Sequence, residues 1–279
     1  MRTFHLLSNP DYSGVMSIGV HGGDVVAVMN GNDSPEDDAY LNLLVIEDPQ
    51  GNVKDRHVLK MFAKGQVSTN DSLFIAGEEL TLSSKRYQGK IIRYDFATHN
   101  VMERVFDDNL LYEQPVYAKG KVFAIGFDMN GVSRQVDVFD GADLQRVASV
   151  PMSAGAQSLV AIGGRPWVVA DDQACPIDIN MAVDNDANRY AVVEDDCVVI
   201  PKPSDTHMVT EAIVDGDELM LLMRDSMAPE VSSDRKGVKQ VGVIARVDIA
   251  TDESQTVPVF IPSNRSGDSI LFMPVRSKA

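Results

Sequence analysis

Asp184, Asp186 and Asn188 stand at alternate positions in the stretch DNDAN. Hard oxygen ligands at that spacing suit Ca²⁺, and Asp195 stands where a calcium loop places its last carboxylate. Arg189, however, takes the position where such a loop needs glycine, and the RYAVVEDD that follows reads as a β-strand entering a turn. The three residues are therefore calcium candidates on what is at least a sheet corner, and no other cofactor is expected. They belong to a wider acidic set. Asp33, Glu36, Asp37 and Asp38 crowd NGNDSPEDD, while Asp171, Asp172 and Asp178 precede DNDAN. Only Arg189 opposes them, and uncompensated carboxylates steer cationic partners. His207, beside Asp205 and Thr206, completes the list of binding candidates.

Other chemistry is sought and not found. The five histidines, His5, His21, His57, His99 and His207, nowhere pair at metal-ligand spacing, and HExxH and CxxC are absent. There is no GxSxG elbow, P-loop or GxGxxG. The net charge of -16 disfavours nucleic acid and anionic membranes, and no apolar run is long enough to insert into a bilayer. A protein partner with a basic surface, or a place in a larger oligomer, fits the charge better. Cys175 and Cys197 are too few for a disulfide scaffold and are expected as free thiols; a bridge stays open because both fall in one repeat. The stretch MRTFHLLSNPD lacks the pattern of a signal peptide, so the expected location is the cytoplasm, or a virion assembled there.

The elements that must position these residues come from a repeat. LLVIED, IIRYDF, VDVFDG, YAVVED and IARVDI each run apolar or alternating into an acid, with Glu47, Asp95, Asp140, Glu194 and Asp248 spaced by 48, 45, 54 and 54. A second landmark, a polar turn before an apolar strand, starts at Val25, Leu73, Val122, Pro166 and Leu219, spaced by 48, 49, 44 and 53. Each unit holds four strand candidates rich in Val, Ile, Phe and Tyr, separated by Gly, Asn and Asp turns. This predicts an all-β chain, a five-bladed β-propeller of four-stranded antiparallel blades, with 1–279 as one domain. The blades run roughly 14–62, 63–108, 111–153, 155–203 and 206–262, and spare strands at 2–7 and 269–275 help close the ring.

KIIRYDFATHN and RQVDVFDGADLQ resemble the third strand and following turn of WD40-like and YVTN-like propeller repeats. The resemblance implies the architecture and no particular activity. The connections between second and third strands are read as the long ones: Asn30–Tyr40, Ala76–Gly89, the short one near Met129, Asp171–Asn188 and Arg224–Gln240. They share one face, which makes it the expected binding face. The reading is a non-catalytic interaction or structural propeller within a larger assembly, a tailed-phage particle being one setting. The alternative is a carbohydrate-binding or glycoside-cleaving propeller. It would need a carboxylate pair, whereas the first strands offer only Glu211, with Glu113 just before the third.

Overall fold

A computed structural model describes residues 14–130, 132–152, 156–181, 189–225, 231–232 and 238–262. The spare strands expected at 2–7 and 269–275, and the calcium candidates Asp184, Asp186 and Asn188, lie outside the described residues. Those residues form β-sheet throughout apart from one short 3₁₀ turn. Among them no helix is long and apolar enough to cross a membrane. The chain divides into two compact units, 1–152 and 153–279, with the division between the third and fourth repeats.

The first unit holds three repeats. β1 (Val15–His21), β2 (Asp24–Met29), the two-residue β3 (Asp33–Ser34), β4 (Ala39–Glu47) and β5 (Val53–Lys60) make the first. β6 (Phe62–Ser68), β7 (Ser72–Thr81), β8 (Arg86–Asp95) and β9 (Val101–Phe106) make the second. β10 (Leu111–Ala118), β11 (Lys121–Phe127), β12 (Ser133–Asp140) and β13 (Arg146–Pro151) make the third. Each is an antiparallel meander, and the strand ladders of the first two join at the single pair Ala39↔Thr81. The middle repeat shows why its strands read as nearly continuous apolar runs. Leu73 and Ile75 of β7 face a core shared with Val26, Leu44 and Leu59, while Phe74 and Ala76 face one shared with Tyr112, Val122 and Phe139. Both faces of one sheet are buried, so alternation between apolar and polar disappears.

The second unit holds two repeats. β14 (Ser158–Ile162), β15 (Arg165–Val169), β16 (Gln173–Met181), β17 (Arg189–Val192) and β18 (Val198–Val199) form one, with the 3₁₀ turn Glu194–Asp196 before β18. β19 (His207–Asp215), β20 (Glu218–Asp225), β21 (Val231–Ser232), β22 (Val238–Asp248) and β23 (Ser254–Pro262) form the other. Val160, Trp167, Val169, Leu219, Leu221 and Met223 share the core between them.

The periodic acids turn out to be turn-makers. Asp95 Oδ1 accepts from the backbone N–H groups of Ala97 and Thr98, its carbonyl accepts from His99 N, and His99 sits at φ 59°. Asp140 with Leu144, and Asp248 with Asp252, repeat the same turn at φ 59° and 57°. A carboxylate that satisfies otherwise orphaned N–H groups lets the chain reverse there. In the first repeat the role falls to Asp48, one residue after the expected Glu47, with Gly51 at φ 87°. In the fourth, Glu194 opens the 3₁₀ turn instead.

Three expectations are corrected here. RYAV is the fourth strand of its repeat; the third is Gln173–Met181. Pro176 had disguised it, yet the strand tolerates the missing N–H there, and the Pro176 carbonyl still accepts from Val193 N at 2.9 Å. The span Ala76–Gly89 is mostly strand, a long β7–β8 hairpin rather than a loop, in continuous register from Ser72↔Asp95 to Thr81↔Arg86. Cys175 and Cys197 are joined as a disulfide, with Cα atoms 4.2 Å apart.

Candidate functional site

The first connection, residues 30–39, is built to hold its shape. Gly31 is required, since a Cβ there would lie 1.5 Å from the Leu41 carbonyl oxygen. Tyr40 OH packs against Asn30 Oδ1 and donates toward the Gly31 carbonyl at 2.9 Å. Asp38 takes a left-handed φ of 52° and reaches into the second repeat, where its carboxylate accepts from Ser83 N and Ser83 Oγ, both at 2.6 Å. These bonds hold the Asp38 carboxyl below its ordinary range. Asp37 pairs with Lys60 at 3.0 Å and accepts from Ser34 Oγ at 2.9 Å, and Lys60 then Ser34 lower its carboxyl too. The carboxylates of Asp33, whose backbone pairs with Tyr40 in the β3–β4 ladder, and of Glu36 are exposed and make no hydrogen bond or ion pair among the described residues. Two of the four predicted acids thus anchor the loop, and two are displayed by it.

In the second unit the predicted residues also serve the backbone. Asp171 Oδ1 accepts from Val209 N at 3.3 Å, which ties the end of β15 to β19. The Asp172 carbonyl accepts from Ile200 N at 2.9 Å. His207 is half-buried, its Nδ1 2.8 Å from Ser204 Oγ in the turn that starts β19. Among the described residues no group of three His, Cys, Asp or Glu side chains is arranged to hold a metal ion.

Two clusters escape a reading of sequence spacing because their members lie on different strands. In the first, Asp55 Oδ2 is met by Tyr94 OH at 2.5 Å, His99 Nδ1 at 2.6 Å and His57 Nε2 at 3.0 Å. Burial pushes the Asp55 carboxyl up, but the bonds from Tyr94, His99 and His57 outweigh it and hold it well below the carboxylate range. Tyr94 is pushed up, by burial first and then by Asp55. The hub joins the outer strand β5 to the turn after β8, and the only sequence signal for it is three polar side chains on otherwise unremarkable strands.

The second cluster is acidic. Glu113 lies within β10, not before it, at a register shift between Glu113 and Val116 where Gln114 adopts φ 50°. β6 shifts register at the facing point, between Ala63 and Gly65. Glu78 is 8% exposed, and Lys64 Nζ stands 4.0 Å from its carboxylate while also lying over the Phe62 ring. Burial raises both carboxyls; Lys64 offsets part of this, and Glu78 adds to the rise at Glu113. Neither carboxylate makes a hydrogen bond among the described residues. The pair could hold or pass a proton, which is what paired carboxyls with raised affinity for protons do.

Repeated antiparallel four-stranded sheets whose faces bury one another define a class, the β-propeller. Comparison with solved structures agrees. The chain is similar to the WD40 domain of Neurospora crassa Pan2, with TM-score 0.53 and 7% identity over 90% of this chain and 68% of that one. It is also similar to Kuenenia stuttgartiensis hydrazine synthase, with TM-score 0.54 and 13% identity over 94% of this chain and 69% of that one. At such identities the likeness shows the fold alone. No family model matches the chain, and no curated protein does.

Proposed function

We propose that this propeller is a non-catalytic interaction module, a subunit of a larger assembly, and that it meets a partner with a basic surface through its long-loop face. The 30–39 loop carries the reading. Its backbone is pinned by Asp38–Ser83 and Asp37–Lys60, so the exposed Asp33 and Glu36 are presented in a fixed arrangement. A preordered surface loses little entropy on binding, and the net charge of -16 favours encounter with a cationic surface. A setting in a phage particle rests on the repeat architecture alone. Native mass spectrometry across a salt series tests the reading. A defined oligomer or partner complex that dissociates as salt rises is the expected result, and a bare monomer at every salt concentration contradicts it. The same spectra taken with a chelator show whether a calcium-sized mass is carried.

A second reading, glycoside cleavage, is favoured by the Glu78 and Glu113 pair beside Lys64. One carboxyl would protonate the leaving oxygen while the other assisted attack at carbon. Hydrolysis of a panel of aryl glycosides tests it. Turnover that falls at least about a hundredfold in Glu113→Gln supports the reading, and no turnover by the wild type rejects it.

A further inference from the structure

We propose that the Cys175–Cys197 disulfide is a redox switch that holds the fourth strand of its repeat in place. The argument starts from the register. Gln173 faces Val199 and Ala174 faces Val198, so Cys175 and Cys197 are the next opposed residues of the same antiparallel pair. Beyond them the ladder is interrupted. It resumes at Ile177↔Val192, where the single residue Pro176 on one strand faces the segment Val193–Asp196 on the other. The bridge therefore sits at the break.

Little else holds this edge. The fourth strand of the second repeat, β9, has 6 residues and that of the fifth, β23, has 9, each in one piece. Here the strand is split into β17 with 4 residues and β18 with 2. Across the gap run one backbone bond, Val193 N to the Pro176 carbonyl at 2.9 Å, and the exposed ion pair Arg165–Asp196 at 3.1 Å. Exposed ion pairs contribute little. Val198 and Ile200 are buried in the core and anchor the β18 end, whereas Ala191, Val192 and Val193 are only half-buried, so apolar anchoring of the β17 side is slight.

Access favours one sulfur. Cys175 is 5% exposed, whereas Cys197 is half-buried and follows the exposed turn Glu194–Asp196. A dithiol reductant attacks Cys197 Sγ as its thiolate, forming a mixed disulfide and releasing Cys175 Sγ as thiolate, which takes a proton. The second thiol of the reductant then displaces Cys197. The protein disulfide has gained two electrons and two protons, and the dithiol has become a disulfide. In the reduced protein β17 and the turn that follows it separate from β16; in an oxidising compartment they stay paired.

Hydrogen exchange of the intact chain, before and after dithiothreitol under native conditions, tests this. Exchange across 189–196 is expected to accelerate at least about tenfold on reduction, and to recover on reoxidation, while 72–95 and 158–169 change less than about twofold. The Cys175→Ser, Cys197→Ser double variant should show the fast exchange at the outset and ignore the reductant. Three results overturn the proposal. One is unchanged protection at 189–196 with both thiols alkylated. Another is loss of protection throughout the second unit, which would make the bridge a staple. The third is a failure of the reduced thiols to re-form the Cys175–Cys197 bridge under a mild oxidant.

Discussion

Asp55 shows how a single oxygen can organise a region, because three donors from β5, β8 and the turn after β8 meet at its Oδ2. Asp55→Asn keeps one acceptor oxygen but replaces the other with an NH2 and removes the charge the three partners share, and is expected to cost about 2 kcal/mol at pH 7. The pH dependence follows from the lowered carboxyl. Its contribution is present above the unfolded value near 3.9 and is lost as pH falls through the folded one, so the gap between wild type and variant should begin to narrow below about pH 4. Urea unfolding at pH 3, 5 and 7 checks this; a constant gap would contradict it. Glu78 runs the opposite way. Burial raises its carboxyl, so ionisation costs stability as pH rises through the folded value. Glu78→Gln should match wild type in acid and exceed it by about 1 kcal/mol at pH 8. A loss of stability at pH 8 would show that Lys64 compensates the charge in full.

At the scale of elements, the Asp38–Ser83 bonds fasten the first long connection to the β7–β8 hairpin. Asp38→Ala should cost about 1 kcal/mol by thermal unfolding and raise the exchange rate of residues 33–39. These elements also show what the sequence could and could not disclose. Apolar runs such as LFIAG and VFAIG announced their strands, because sheets buried on both faces leave a continuous signal. QACPIDI did not, since proline and cysteine blurred the pattern and RYAVVED beside it looked more like a strand. The acids after the third strands were visible as a period, yet their work as turn caps needed coordinates. The Asp55 hub and the Glu78–Glu113 pair were invisible because long-range register alone brings those residues together.

For the molecule as a whole, two landmarks at a shared period were enough to give the propeller, since each four-stranded sheet needs neighbours to cover its faces. Phe74 belongs to such a cover, packed with Tyr112 and Phe139, and Phe74→Ala should cost 3–5 kcal/mol, that is about 4. The proposed function was less legible, because partner recognition, unlike a catalytic motif, has no spacing rule. The central claim is that the rigid acidic loop is the working face. A photo-crosslinking residue placed at Glu36 in cells that make the protein, with one at Val105 on the outer strand β9 as control, tests it most directly. The account predicts one discrete protein adduct at position 36 that disappears when Asp33 is changed to Lys, and none at 105. Adducts at 105 alone, or an adduct at 36 indifferent to Asp33→Lys, would contradict it.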